Sequence, residues 1–341
     1  MNVLLNGVGR VGKSILRVAL EESAFNLIAI NELNPNIDNI AYTINYDSTY
    51  GRLNDPFISH EDSIKNSTST IQIFNKTSLF DIDFKKHGID IIIDASGTKH
   101  EIEKLKTLDV KAIFLTHPDR SADINIIMGV NDQKLDLQEH RVISTSSCNA
   151  TALLPIVKLI DDHFDIECGE ITTIHPWLNH QNLLDGGCIG SKDRDVTCNF
   201  EFGRSAAQNI IPSKTTTVEA CSYILPHINS QIIGSSSFRI PTETVGVIDV
   251  TLLVKKPCEH ERLLELCYEY EKNQSYKVIL NNTQALVSSD FKAEPYTTII
   301  DHRFTHIKMK KMIKLSIWYD NEWGYASKVV DIMKVYSDLT D

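Results

Sequence analysis

The sequence lacks the features that would assign it to a membrane or secreted class. No apolar run reaches the roughly 18 residues of a membrane span, and residues 1–6, MNVLLN, read as a strand and not as a signal peptide. The seven cysteines are odd in number and show no C-x-x-C spacing, which favours reduced thiols over a disulfide framework or a zinc site. We therefore expect a cytoplasmic protein with no metal site and no membrane partner.

Positive charge is also scarce, because 34 lysines and arginines stand against 45 acidic residues for a formal net charge of −11. Nucleic-acid binding needs basic surface that replaces the counterions of phosphates, so we expect no nucleic-acid partner. A local cationic pocket for a small anion is compatible with this balance. With 341 residues, 42% of them hydrophobic, the chain can form about two domains.

The first motif joins a short strand to a helix. Apolar residues 3–5 run into 6–12, NGVGRVG, and residues 14–22 then have helical spacing. This is G-x-G-x-x-G in the strand, turn and helix context of dinucleotide binding, where glycines let the backbone approach a pyrophosphate. The motif predicts cofactor contacts from Asn6, Gly7, Gly9, Arg10, Val11 and Gly12.

A carboxylate follows the next strand. The apolar run 27–30 leads to Glu32, which lies twenty residues after Gly12. A carboxylate at this spacing accepts hydrogen bonds from the adenosine ribose and repels a 2′-phosphate, so the predicted cofactor is NAD and not NADP.

Alternating strands and helices continue to residue 144. This pattern predicts a parallel sheet covered by helices, with strands at 89–94, 112–115, 124–128 and 142–144 and a helix at 99–108. Doubly wound sheets bind ligands beyond the carboxyl ends of their strands, which adds Ser96, Gly97 and Thr116 to the predicted cofactor site. The Asn-rich segment 34–70 is poorly periodic, and we interpret it as surface excursions.

Cys148 lies on the turn between the strand at 142–144 and an apolar helix. A thiol at a helix N-terminus meets unpaired N–H groups and the positive end of the helix dipole, and both favour the thiolate. The alternative is a small buried hydrophobic residue without chemistry. The residues found further along the chain favour a nucleophile.

The pattern changes after Cys148 to long β-rich runs. They predict a mostly antiparallel sheet with strands at 170–174, 245–254 and 312–318, and helices at 259–271 and within 213–225. The last helix, 325–339, has a broad apolar face that we expect to pack on a folded domain. The predicted class is α/β, with an N-terminal Rossmann domain at 1–147, onto which the C-terminal helix 323–341 packs, and an α+β catalytic domain at 148–322.

Eight segments in order resemble the glyceraldehyde-3-phosphate dehydrogenase family, including its erythrose-4-phosphate dehydrogenase relatives. They are NGVGRVG at 6–12, YDSTYG at 46–51, SC at 147–148, TTIH at 172–175, QNLLD at 181–185, NIIP at 209–212, RIPT at 239–242 and WYDNEWGY at 318–325. The resemblance implies a glycolytic, NAD-dependent oxidoreductase that acts on a small phosphorylated aldehyde and forms a homotetramer.

The resemblance also implies residue roles. Cys148 would be the nucleophile and His175 its partner, held as a thiolate and an imidazolium, with a thiohemiacetal and then a thioester as intermediates. Inorganic phosphate or water would release the acyl group. Asn321 and Tyr325 would lie beside the nicotinamide, and substrate or phosphate would be bound by Ser147, Asn149, Arg204, Thr215 and Arg239.

Three departures from the family pattern leave alternatives open. Residues 149–151 read Asn-Ala-Thr where Thr-Thr-Asn is usual, Leu178 replaces a phosphate-binding threonine, and loop 186–202, with Cys188 and Cys198, is longer than expected. The leading function is phosphorylating oxidation of glyceraldehyde 3-phosphate. An apolar residue at position 178 also resembles the non-phosphorylating four-carbon enzymes. A third hypothesis, from another class, is a catalytically inactive NAD-binding regulatory protein.

Overall fold

The computed structural model describes residues 1–188 and 200–340, which divide into two compact units. Unit 1 contains Met1–Ile126, Asp132–Ser146 and Ala326–Asp341. Unit 2 contains Ile127–Asn131 and Ser147–Tyr325.

Unit 1 is built on a large, mostly parallel sheet. The strands of unit 1 are β1 (Asn2–Asn6), β2 (Asn26–Asn31), β3 (Tyr46–Asp47), β4 (Gly51–Arg52), β5 (Ile58–His60), β6 (Ser63–Lys65), β7 (Thr70–Phe74), β8 (Ile91–Asp94), β9 (Ala112–Leu115), β10 (Ile124–Asn125) and β11 (Val142–Ser144). The sheet order is β10-β11-β9-β8-β1-β2-β7-β6-β5, parallel from β10 to β7 and antiparallel beyond, while β3 pairs only with β4. The order β7-β2-β1-β8-β9-β11 is that of a Rossmann sheet, which confirms the predicted fold.

The helices of unit 1 are α1 (Arg10–Glu22), α2 (Ile37–Asn45), α3 (Phe84–His87) and α4 (Ile102–Leu105). Strands β8 and β9 are buried along their whole length, as expected for central strands covered on both faces. Two predictions were wrong in extent. The helix predicted at 99–108 is only the short helix α4, and the strand predicted at 124–128 ends at Asn125.

The interpretation of segment 34–70 as surface excursions was wrong in part. It contains α2, whose first turn is capped by the Asn36 side chain, which accepts a hydrogen bond from the Asn39 N–H. Ile40 and Ile44 are buried on one face of this helix. The same asparagines that weaken the helical pattern therefore supply the cap that starts the helix.

Unit 2 has its own sheet and helices. They are α5 (Cys148–Phe164), β12 (Ile166–Pro176), β13 (Ile211–Ser213), α6 (Thr217–Ser222), β14 (Ile233–Ile240), β15 (Gly246–Val254), α7 (His260–Asn273), β16 (Ile279–Asn282), β17 (Thr298–Asp301), β18 (His306–Lys308) and β19 (Met312–Tyr319). The last helix, α8 (Trp323–Asp338), begins in unit 2, and its residues from Ala326 onward belong to unit 1. The order is β13-β14-β12-β15-β19-β17-β16, with β18 on β19. Pairs β12/β14 and β16/β17 are parallel and the others antiparallel, which confirms a mostly antiparallel sheet.

Helix α5 packs on this sheet and carries Cys148 at its first position. Buried and partly exposed residues alternate along β15 and β19, and both strands contact α5. Pro155 lies inside α5 and cannot donate a backbone hydrogen bond. The Thr298 hydroxyl of β17 donates to the Ala152 carbonyl of α5 at 2.8 Å, which ties the helix to the sheet.

Most of helix α8 belongs to unit 1, where its broad apolar face is buried. Val329, Val330 and Met333 are at most 1% exposed, and the Tyr336 ring meets Phe114 of β9 edge-on, with ring centroids 5.4 Å apart. None of the described helices combines the length and apolar character needed to cross a membrane.

Candidate active site

The glycine-rich turn of unit 1 leaves no room for side chains at two positions. A Cβ on Gly12 would lie 2.0 Å from the Gly7 carbonyl oxygen, and one on Gly7, where φ is +87°, would lie 2.8 Å from the Ser96 Cα. Gly9 caps α1 without a side-chain hydrogen bond, and a Cβ there would meet open space. The turn therefore offers an uncrowded helix N-terminus, a site suited to a pyrophosphate.

Glu32 lies against this turn. One carboxylate oxygen accepts the Val8 N–H at 3.0 Å and the other accepts the Asn34 N–H at 3.2 Å. These contacts hold an acceptor beside the first glycines, as ribose recognition requires.

The other predicted cofactor residues of unit 1 meet around buried Asp94, at the end of β8. Its Oδ1 accepts from the Asn6 side chain at 2.9 Å and the Ser96 N–H at 3.1 Å, and the Thr116 hydroxyl donates to its carbonyl oxygen at 2.9 Å. Gly97 has a φ of +71°. The structure thus brings the carboxyl ends of β1, β8 and β9 together by hydrogen bonds.

Arg10 and Val11 begin helix α1. The Arg10 guanidinium forms an ion pair with Asp47 and lies over the Tyr50 ring, so it is tied to the motif at 46–51. Burial alone would raise the pKa of Asp47, but Arg10, the Tyr50 and Thr49 N–H groups and Lys13 hold that pKa well below its usual range. Val11 is partly exposed.

Cys148 of unit 2 lies at the N-terminus of α5. The Ser147 side chain caps this helix and accepts the Ala150 N–H at 3.4 Å. Cys148 Sγ lies 3.8 Å from His175 Nε2 and 3.6 Å from Asn149 Oδ1. Cys148 and His175, which are 27 positions apart in the sequence, are therefore within hydrogen-bonding distance of one another.

His175 is held at the end of β12 with its Nδ1 2.8 Å from the Pro176 carbonyl oxygen. Since a carbonyl only accepts, Nδ1 carries a proton and donates it, and in the neutral ring Nε2 is an acceptor directed at the sulfur. This tautomer can take the thiol proton.

Burial disfavours the charged form of each member of the expected thiolate and imidazolium pair. Burial raises the pKa of Cys148 to about 11, although Arg239 and the backbone N–H groups at the helix start oppose the rise. Burial, together with Arg239, lowers the pKa of His175 to about 3. Desolvation therefore acts against the helix N-terminus, which favours the thiolate.

Arg239 is a cation that acts on both members of this pair. It is the cross-strand neighbour of His175 in the parallel pairing of β12 with β14. Its buried Nε and Nη1 have no hydrogen-bond partner in the described chain, and burial lowers its pKa. A half-buried guanidinium with unused donors is suited to binding an anion.

Two predicted phosphate ligands make other contacts. Arg204 is exposed and forms an ion pair with Asp185 at 3.1 Å, with no hydrogen bond to Cys148, His175 or Arg239 in the described ranges. The Thr215 hydroxyl is 2.6 Å from the Thr217 hydroxyl, at the start of α6.

The predicted nicotinamide residues lie after β19. Asn321 Oδ1 accepts the Val245 N–H at 3.1 Å and the Thr244 hydroxyl at 3.3 Å, which fixes the amide and leaves its N–H₂ group on the other side. Tyr325, in the first turn of α8, is 3% exposed.

Tyr319 is a site residue that the motif analysis left without a role. Its hydroxyl donates to Asn149 Oδ1 at 2.6 Å. The two residues are 170 positions apart, so no local pattern indicates the contact.

The cysteines largely follow expectation. Cys148, Cys168, Cys221, Cys258 and Cys267 are free thiols. Cys188 is disulfide-bonded, so the expectation of reduced thiols was wrong for this residue. Residues 189–199 of the long loop, including Cys198, lie outside the described residues.

Both units match one protein family. Residues 1–102 match the model of the glyceraldehyde 3-phosphate dehydrogenase NAD binding domain, and residues 147–321 match that of the C-terminal domain. Glyceraldehyde-3-phosphate dehydrogenase 2 of Bacillus subtilis is 30% identical over 337 residues, covering 98% of this chain and 96% of the relative. Glyceraldehyde-3-phosphate dehydrogenase 1 of Kluyveromyces marxianus is 32% identical over 338 residues, covering 98% and 99%. The Streptomyces coelicolor enzyme is 32% identical over 337 residues, covering 97% of each.

With a Rossmann unit and a thiol beside an imidazole, the protein belongs to the class of NAD-dependent dehydrogenases that act on aldehydes. Within that class, the chain belongs to the glyceraldehyde-3-phosphate dehydrogenase family.

Proposed function

We propose that the protein oxidises glyceraldehyde 3-phosphate with NAD and releases the product by attack of inorganic phosphate. The observation that carries the proposal is the 3.8 Å approach of Cys148 Sγ to His175 Nε2, beside an arginine with two buried, unused donors. The names of the relatives support the three-carbon substrate and do not favour the four-carbon or the inactive alternative.

The geometry of the pair suggests how the first bond forms. His175 Nε2 takes the thiol proton as Cys148 Sγ attacks the aldehyde carbon, and the proton passes to the carbonyl oxygen to give a thiohemiacetal. His175 then removes that hydroxyl proton. Bound NAD would supply the acceptor for a hydride from the same carbon, so that the acyl group remains on Cys148 as a thioester. A phosphate oxygen attacks the thioester carbon, and the sulfur leaves and is reprotonated by His175.

We assign the remaining roles in the same proposal. Arg239 binds a phosphate group, with Ser147, Asn149, Arg204 and Thr215 as further substrate or phosphate contacts, and Asn321 and Tyr325 position the nicotinamide. We also propose a nucleotide-binding domain of residues 1–147 with helix 323–341, and a catalytic domain of 148–322. The compact units support this division except at 127–131, 147 and 323–325, which group with unit 2.

In this proposal unit 1 supplies the contacts to the pyrophosphate and the adenosine ribose. A Cβ has no room at Gly7 and Gly12 and would meet open space at Gly9. This turn therefore suits close approach of a dinucleotide to the protein backbone. The segment 6–12 would hold the pyrophosphate and Glu32 the adenosine ribose, with Ser96, Gly97 and Thr116 at the strand ends. We also propose a homotetramer, which light scattering would test, and a cytoplasmic location, since chemistry at a free thiol suits a reducing compartment.

The experiment is NADH formation from glyceraldehyde 3-phosphate and erythrose 4-phosphate, each with and without phosphate. We expect phosphate-dependent turnover of the three-carbon substrate that Cys148→Ala abolishes. Cys168→Ala is the matched control, because it removes an exposed free thiol of the same unit, and it should leave turnover unchanged. Faster phosphate-independent oxidation of erythrose 4-phosphate, or NAD binding without turnover of either aldehyde, would contradict the proposal.

A further inference from the structure

The side chain after the nucleophile contacts two hydrogen-bond donors with one atom. Asn149 Oδ1 lies 2.6 Å from the Tyr319 hydroxyl and 3.6 Å from Cys148 Sγ. Tyr319 is 1% exposed and Asn149 9% exposed, so these contacts form away from bulk water. The amide oxygen is therefore shared by a phenol and a thiol.

Tyr319 determines which end of the amide faces the sulfur. Its hydroxyl has no acceptor other than Asn149 Oδ1 among the described residues. Burial, reinforced by Cys148, raises the pKa of Tyr319 well above its ordinary value, so the phenol keeps its proton and acts as a donor. If the amide turned by half a rotation, its N–H₂ would meet this donor and leave the buried O–H without an acceptor, which is costly. The carbonyl oxygen is thus held toward Tyr319 and toward Sγ.

An acceptor held at this distance favours the thiol over the thiolate. The S–H group can donate to Asn149 Oδ1, whereas a sulfur anion would face the negative end of the amide dipole. The same thiol proton must pass to His175 Nε2, 3.8 Å from Sγ, for attack on an aldehyde. Asn149 and His175 therefore compete for one proton.

We propose that Tyr319 and Asn149 form a restraint that opposes transfer of the Cys148 thiol proton to His175, with both as positioning residues. The proposal rests on the proposed function only in taking Cys148 as the nucleophile. The threonine usual at position 149 in the family has a hydroxyl that can also donate to sulfur, so the restraint belongs to the asparagine found in this chain.

Other charged or titratable groups also face the thiol. They are His175 from β12, Arg239 from β14, Tyr319 from β19 and Glu322 just after β19; Arg239 favours the thiolate and Glu322 opposes it. The variants below leave His175, Arg239 and Glu322 in place. Any change in thiol titration is then due to the restraint itself.

The test is the pH dependence of Cys148 alkylation by iodoacetamide, without cofactor or substrate, with the modified peptide identified by mass spectrometry. In Tyr319→Phe the amide is free to turn and donate an N–H to sulfur. We expect the thiol pKa to fall by about 1 unit and the alkylation rate at pH 7 to rise about tenfold. Asn149→Ala loses the acceptor but gains no donor, so its pKa should fall by a smaller amount.

Tyr268→Phe is the matched control, because Tyr268 is an exposed tyrosine on α7 of the same unit, and its alkylation profile should equal that of the parent. An unchanged or raised thiol pKa in folded Tyr319→Phe would overturn the proposal. If that variant does not fold, an unchanged or raised pKa in Asn149→Ala has the same meaning. Because alkylation requires no turnover, these results are independent of whether glyceraldehyde 3-phosphate is a substrate.

Discussion

Replacing Arg239 by methionine should change activity and stability in opposite directions. Arg239 presents buried Nε and Nη1 without partners in the described chain, beside Cys148 and His175. A charge-assisted hydrogen bond to phosphate contributes about 1.5–3 kcal/mol. Loss of two such bonds costs about 3–6 kcal/mol in the transition state, which corresponds to a fall in kcat/KM on the order of 10²- to 10⁴-fold.

The same substitution should stabilise the folded protein. An unpaired buried cation is destabilising, and apolar replacement of buried charge often adds about 1–4 kcal/mol to the free energy of unfolding. We expect a gain at the low end of that range, since Arg239 is only partly buried.

The assays are kcat/KM for glyceraldehyde 3-phosphate and for unphosphorylated glyceraldehyde, and urea unfolding without substrate. Oxidation of the unphosphorylated aldehyde should fall by less than about tenfold, because the removed hydrogen bonds are to phosphate. A variant that is less stable, or that loses equal activity on both aldehydes, would refute the reasoning.

Three further substitutions test other parts of the structure. Gly12→Ala places a Cβ 2.0 Å from the Gly7 carbonyl oxygen, so NADH affinity by fluorescence titration should fall more than about tenfold; unchanged affinity would contradict the glycine argument. Thr298→Val removes the hydrogen bond to the Ala152 carbonyl and should lower the free energy of unfolding by about 1–2 kcal/mol in urea, whereas no change would mean that water replaces the hydroxyl. Asp47 has a depressed folded pKa, so its stabilising contribution is present above its ordinary pKa of 3.8 and is lost as pH falls below it. The loss is complete only below the depressed folded pKa, so the stability difference between parent and Asp47→Asn should be larger at pH 7 than at pH 3, and a pH-independent difference would count against the ion pairs.

The glycine-rich turn was predictable because its requirements are local. A strand, a helix and glycines at fixed spacing define the turn, and the structure places Gly7 and Gly12 where a Cβ cannot fit. The Rossmann order and the second, mostly antiparallel sheet likewise follow from the change in hydrophobic periodicity.

What failed depends on the folded environment. A helix N-terminus and a neighbouring histidine predict a thiolate, which stays a prediction; the largest influence on the pKa of Cys148 is burial, which the sequence around it does not specify. The Asn149 contact with Tyr319 spans 170 positions and has no local signal. Helix α2 was missed because its capping asparagine belongs to a segment that reads as polar loop.

The central claim is that Cys148 forms the covalent bond to the substrate. The most direct measurement is a single turnover with glyceraldehyde 3-phosphate and NAD in the absence of phosphate, followed by mass spectrometry of the peptides. We predict one NADH per chain and an acyl group on the Cys148 peptide that disappears when phosphate is added. An acyl group on another residue, or the same NADH burst from Cys148→Ser, would contradict the mechanism.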